Sequence, residues 1–401
     1  MAAGRNWGVA FFPTSRNMMA KKTSETTMSF PLPSASPASL GLDPARLDIL
    51  CAAIDRQIAA GQHPGGQIAV ARHGKLALFK SFGQARLAPS TQTRDDSLFL
   101  LYSNTKVITA CAIWTLVEDG AIRYADRIAD VLPGFEKHRK GEITLFQLLT
   151  HQAGFPSAVV GPEAWDDHAK LRDIVCNFTP EWPAGTRLQY HPSAAHWVAA
   201  ALIEQLTGRD FRAYIRDKII TPLDLGHELF VGLPADQHPR AADMHEAVDG
   251  NMQPRMPESG AAHRLAGIPG GGGYASARAM AAFYQMLAQG GKLGDVRIVS
   301  PRTIRFVTQN FTGERVDLSS GIAMHRGLGP AVRGTSDTMR GMGSLAHPGT
   351  FGHGGAGSSY SWADPDSGVS FCFLSNARLI EDAHDARMDV LSNIVHAAIV
   401  D

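Results

Sequence analysis

Both ends of this 401-residue chain carry the same local pattern, a helix beside a two-stranded hairpin, and that limits the fold more than any other feature. Near the start, Asp43-Pro44 supplies an N-cap and a first-turn proline. The helix they open runs through Leu47, Leu50, Cys51 and Ile54 to Ile58 and stops at Gly61. Two apolar runs follow, Gln67–Ala71 and Lys75–Phe79, with His73-Gly74 between them as a hairpin turn. Near the other end, Ser358–Trp362 and Val369–Leu374 flank Asp364-Pro365-Asp366-Ser367-Gly368, a strong turn signal. A last helix over about 384–399 places Met388, Leu391, Val395 and Ala398 on one face. A lone hairpin is barely stable in water. The economical solution is one antiparallel sheet built from both chain ends and covered by the first and last helices, an α+β fold.

The stretch between the hairpins reads differently. From about 100 to 265 the pattern is mostly helical, with candidates at 103–118, 144–150, 193–207 and 210–219. We therefore expect an inserted α-helical lobe over 100–265, an α/β lobe over 41–99 and 266–401, and a cleft between them, a usual place for an active site. Gly270-Gly271-Gly272-Gly273 opens a further helix that runs from Ser276 to Gly290. Residues 1–40 hold Lys21-Lys22, several Ser and Thr, and Pro31, Pro33 and Pro37, which reads as a flexible extension. Its apolar piece Val9–Phe12 is too short for a signal segment and is broken by Pro13, so a cytoplasmic location is the default expectation.

The chemistry begins at Ser103-Asn104-Thr105-Lys106, the only Ser-x-x-Lys in the chain, at the mouth of the apolar helix Val107–Val117. Residues three apart share a helical face, so if Ser103 starts the helix its hydroxyl can sit beside the amine of Lys106. A serine hydroxyl is a weak nucleophile until a base takes its proton, and a desolvated lysine can be that base. The Ser103 N–H, at the positive end of the helix dipole, is a free donor for a developing oxyanion. Acyl transfer needs two more parts, a proton shuttle and a second oxyanion donor. Tyr190, in a loop just before the helix that starts at Ser193, fits the first role, with His191 as a secondary candidate. The segment Phe351-Gly352-His353-Gly354-Gly355-Ala356-Gly357 fits the second, because glycines let a backbone approach a ligand closely. Its Ala356 N–H would complete the oxyanion hole, and His353, Gly354 and Gly355 would line the wall.

In this order the three pieces resemble the serine hydrolases of the class C β-lactamase group, which also holds D-alanyl carboxypeptidase-type penicillin-binding enzymes and family VIII carboxylesterases. Ser103/Lys106 match the group's Ser-x-x-Lys, and His353-Gly354-Gly355 matches the histidine variant of its Lys-Thr-Gly. Leu148–Gly154, Pro183–Thr186 and Gly271–Ser276 are similar to further segments of the group, and the likeness spans about 40–400. It implies a class C β-lactamase-like fold and an acyl-enzyme on Ser103. Two departures stand out. Pro192 replaces the Asn of the Tyr-x-Asn element, and His353 replaces a lysine that would hold a substrate carboxylate. Both favour a neutral ester or amide as the small-molecule substrate. A β-lactamase or D-amino-acid peptidase is the nearest alternative, and a catalytically silent binding or assembly protein on the same scaffold is the alternative of another class.

Other classes recede. Lys+Arg and Asp+Glu are equal at 38 each, so no basic surface argues for nucleic acid. No apolar run is long enough to span a bilayer. Cys51, Cys111, Cys176 and Cys372 are scattered and read as free thiols, and neither Cys-x-x-Cys nor His-Glu-x-x-His occurs, so no metal and no cofactor is expected. A homo-oligomer is left open. Gly352–Gly357 matches the dinucleotide fingerprint in letters, but a strand pattern follows it where that fingerprint needs a helix. An α/β-hydrolase would need a Gly-x-Ser-x-Gly elbow, which is absent.

Overall fold

A computed structural model describes residues 30–337 and 341–401. Its centre is a seven-stranded sheet of Gly65–Arg72 (β1), Lys75–Leu87 (β2), Ser90–Gln92 (β3), Ala331–Val332 (β4), Phe351–Gly355 (β5), Ser359–Asp364 (β6) and Val369–Ser375 (β7). The order is β4-β5-β6-β7-β1-β2-β3, and each neighbouring pair is antiparallel. The two chain ends meet at the β1–β7 pair, in register from Gly66 opposite Ser375 to Arg72 opposite Val369. The expected turn at His73-Gly74 closes β1 onto β2 with both residues at positive φ, 51° and 75°.

Side-chain alternation sorts the two faces of the sheet. Ile68 and Val70 of β1, with Phe371 and Phe373 of β7, point to one side. There they meet Leu47, Leu50 and Ile54 of Pro44–Ala59 (α1) and Met388, Leu391 and Val395 of the last helix, Glu381–His396. Ala69, Ala71, Cys372 and Leu374 point the other way, into the larger core. Small residues there let the helix Ala277–Ala288 lie close to β1 and β7. Asp43 caps α1 as expected, its carboxylate accepting the Ala45 N–H at 2.8 Å.

The larger core is built around Thr105–Glu118 (α2), in which each residue from Thr105 to Leu116 is buried. A helix apolar on all sides belongs in the middle of a protein. Ala194–Thr207 (α3) packs beside it, and Leu145–Leu149 is held by a capping box between Thr144 and Gln147.

Several elements differ from the sequence reading. Residues 351–355, read as a glycine-rich segment before the Ser358–Trp362 strand, themselves form β5, because a strand of Phe-Gly-His-Gly-Gly has no alternation to detect. The middle of the chain, read as mostly helical, also contributes strands. Phe99–Leu100 and Leu229–Val231 flank Gly273–Ala275 in a small sheet, and His245–Val248 pairs with Asn251–Pro254. Of the stretch expected to be a flexible extension, residues 1–29 lie outside the described residues. Residues 30–40 are fastened to the domain: Leu32 is buried in the larger core, and Ala35 N–H donates to Leu76 C=O at 3.0 Å. Among the described residues no helix is long and apolar enough to cross a membrane.

Candidate active site

Ser103 sits in a single 3₁₀ turn, Tyr102–Asn104, that runs straight into α2. The residue before it, Tyr102, has φ 45°, an uncommon angle for a bulky side chain and one that re-aims the chain at the serine. One helical turn on, the Lys106 amine lies 2.9 Å from Ser103 Oγ and is fully buried. Its other neighbours are the carbonyl oxygens of Pro192 at 2.7 Å and Gly270 at 2.8 Å. The proline that cannot offer a side-chain amide therefore still holds the lysine, through its backbone. A Cβ on Gly270 would lie 3.3 Å from Lys106 Nζ, so the glycine loop wraps the amine closely. Burial holds the Lys106 ammonium below its ordinary range, against an opposing pull from the Tyr190 phenol.

Tyr190 reaches the same hydroxyl from the other side, its OH donating to Ser103 Oγ at 2.8 Å. Its backbone N–H donates to Asp317 Oδ1 at 3.0 Å. His353, on β5, forms the next wall. Its ring stands 6.0 Å from that of Tyr190, and its Nδ1 lies 2.7 Å from Gly354 C=O. Burial, reinforced by Lys106, pushes His353 down to about 3, so the ring is neutral at any ordinary pH. Ala356 follows β5 at φ 38°, exposed on the cleft. Gly355 lies so close to the turn that carries Ser103 that a Cβ there would stand 2.3 Å from Leu101 O.

Ser103, Tyr190, His353, Gly354, Gly355 and Ala356 thus border one cleft of about 790 Å³. Met324, Ala331, Tyr360, Leu379 and Ile380 make much of its remaining wall apolar. The secondary candidate His191 does not join them. Its Nδ1 lies 2.7 Å from Gln189 C=O, and its Nε2 accepts the Phe155 N–H at 3.2 Å. Both nitrogens are engaged in holding the loop, and burial pushes the ring down to about 4.

Sequence reasoning missed several neighbours. His151, at φ 60°, accepts the His191 N–H at 3.0 Å and lays its ring 4.8 Å from that of Tyr190. Asp317 and Arg326 form a buried pair at 2.7 Å behind Tyr190. His151 lies in the Leu148–Gly154 segment already noted but was given no role there, and no motif marks Asp317 or Arg326, since only the folded chain brings 151, 190, 317 and 326 together. His168, Glu204 and Asp210 are the one cluster with metal-ligand spacing among the described residues. It lies apart from the cleft lining, and its carboxylates are already paired, Glu204 with His168 at 2.8 Å and Asp210 with Arg212 at 2.7 Å.

A serine hydroxyl between a buried lysine and a tyrosine, at the start of a buried helix beside a sheet joined from both chain ends, is the arrangement of a serine hydrolase. The chain belongs to the beta-lactamase family, whose model matches residues 51–392. It is 27% identical over 343 residues to the esterase/beta-lactamase LipL of Mycobacterium tuberculosis, a match covering 79% of this chain and 77% of LipL. A penicillin-binding protein homologue from Caulobacter crescentus superposes with a TM-score of 0.75 at 28% identity, over 88% of this chain and 98% of that one. A family VIII carboxylesterase superposes with a TM-score of 0.77 at 26% identity, again over 88% and 98%.

Proposed function

We propose that this chain hydrolyses neutral carboxylic esters through an acyl-enzyme on Ser103, in a cleft between a sheet lobe (41–99 with 266–401) and a helical lobe (100–265). The observation that carries the reading is the convergence of Lys106 Nζ at 2.9 Å and Tyr190 OH at 2.8 Å on one hydroxyl oxygen. A neutral amine has two N–H donors and one lone pair. The carbonyls of Pro192 and Gly270 take the two donors, which leaves the lone pair for the Ser103 proton. Burial favours that neutral form, so Lys106 is the base.

Ser103 Oγ then bonds to the ester carbonyl carbon as its proton passes to Lys106. The C–O π electrons move onto the oxygen, which the N–H groups of Ser103 and Ala356 receive. The left-handed backbone at Tyr102, next to Ser103, and at Ala356 supports this assignment, because strain persists where the surrounding structure imposes it. Collapse of the intermediate breaks the bond to the alkoxy group, which takes its proton by way of Tyr190. Water repeats the sequence to release the acid.

The wall supports this substrate class. A neutral His353 and apolar Met324, Leu379 and Ile380 favour an uncharged acyl group, and of the arginines that also line the cleft Arg255 and Arg326 are paired with Glu258 and Asp317. LipL, named an esterase/beta-lactamase, agrees with either an ester or a β-lactam. Parallel assays with a short-chain nitrophenyl ester, a chromogenic cephalosporin and a D-amino-acid peptide decide, with the ester expected to turn over fastest. Ser103→Ala should lose activity by a factor on the order of 10³ or more and stop labelling by a fluorophosphonate. Full activity in that variant would remove the mechanism. Tyr190→Phe should lose most activity while folding normally.

A further inference from the structure

Two side chains that carry nitrogen lie over the Tyr190 ring. Lys106 Nζ stands 5.1 Å from the centre of that ring, and the Arg326 guanidinium stands 4.9 Å from it. The two differ in kind. Lys106 serves the reading above as a neutral base, whereas a guanidinium keeps its charge. The other rings against Tyr190 are His151 at 4.8 Å and His353 at 6.0 Å, both held uncharged by burial. Among the described residues Arg326 is therefore the permanent positive charge at this phenol.

Arg326 is built in with care. It is 5% exposed and lines the cleft. Its Nη2 donates to Asp317 Oδ2 at 2.7 Å, while its Nε is buried with no acceptor among the described residues. Asp317 is fully buried, and its other oxygen accepts from the Tyr190 N–H at 3.0 Å, the Ser319 N–H at 3.0 Å and the Ser319 hydroxyl at 2.6 Å. One carboxylate thus fixes both the backbone of Tyr190 and the cation over its ring. Burying a guanidinium with an incomplete set of partners is costly. A structural pair could sit anywhere in the core; this one faces the phenol that touches the nucleophile.

We propose that Arg326, set by Asp317, is a positioning residue that acts through Tyr190. It fixes the ring face and offsets the negative charge that gathers on the phenol oxygen while the proton is in transit. A cation over an aromatic face gains strength when desolvated, and more as the ring becomes electron-rich. No bond to Arg326 forms or breaks, and the proton ends on the leaving group. The inference rests on Tyr190 as the proton carrier.

A double-mutant cycle on a nitrophenyl ester tests it, with fluorophosphonate titration counting competent sites. Arg326→Gln should lower kcat about tenfold with KM nearly unchanged, the scale of a desolvated cation–π contact expressed in the transition state. Arg326→Lys, which keeps the charge, should recover much of the loss. In a Tyr190→Phe background Arg326→Gln should cost little more, because its route is already cut. The pair Asp317→Asn with Arg326→Gln strands no carboxylate and should show the same loss, so it decides the matter even where Arg326→Gln alone folds poorly. Losses that multiply in the cycle would overturn the inference. So would a raised KM at unchanged kcat, which would make Arg326 a substrate contact, or full activity in the charge-free pair. Full activity of Tyr190→Phe alone would instead sink the reading of Tyr190, and the inference with it.

Discussion

At Ser103 the chemistry turns on how many partners each atom has. The Lys106 nitrogen has three, and two are carbonyls, which can only accept. In the proposed neutral amine those carbonyls take both N–H donors, and the third position is the lone pair that receives the hydroxyl proton. The pH dependence follows with a definite sign. Burial disfavours the ammonium, so kcat/KM rises with pH through the ionisation of Lys106 and then stays high. No histidine step should interrupt that rise, because His353 is held down to about 3 and His191 to about 4. A pH–rate profile checks this. An inflection near the ordinary histidine range that disappears in His353→Asn would contradict it. The Ser103/Lys106 pair was legible because three-residue spacing alone sets the geometry of one helical turn. His191 shows the reverse: its place beside Tyr190 in sequence suggested chemistry, while its ring turns away to hold the 151–155 loop.

At the scale of elements, the site is where the start of α2 meets β5. The approach is tight enough that Gly355 has no room for a side chain. Gly355→Ala would force backbone movement against Leu101 C=O and should cost about 1–3 kcal/mol, the usual range for overpacking. A lower urea midpoint at unchanged slope would report it, and an unchanged midpoint would show that the contact relaxes freely. The same glycines that make this approach hid β5 from a reading based on alternation. Helices were easier. The starts of α1, α2 and α3 were marked by Asp43, by the apolar run after Lys106 and by Ser193, and the structure adds Gly208, which caps α3 in the left-handed region at φ 65°. The short strands of the middle were missed because two or three residues leave no period to count.

For the molecule as a whole, burial of neutral histidines links stability to pH. His63, His353 and His384 are held to about 3 and His191 to about 4, each chiefly by desolvation, against 6.5 when free. Between those values the unfolded chain binds protons that the folded chain refuses. Stability therefore falls as pH drops from about 6.5 toward 4. Thermal melts across that window should show a steadily falling Tm, and a flat Tm would show that these rings take up protons without unfolding. By itself, the sequence determined the elements whose cause is local: the capped helices, the two hairpins, and a serine and lysine one turn apart. It also implied that two hairpins too small to stand alone must join, which they do through β1 and β7. Only the tertiary structure decided what surrounds the phenol. Tyr190, Asp317 and Arg326 come from separate stretches of the chain, and no local period or propensity encodes a contact between them. Their meeting is set by how the core packs, so it exists only once the chain has closed around it.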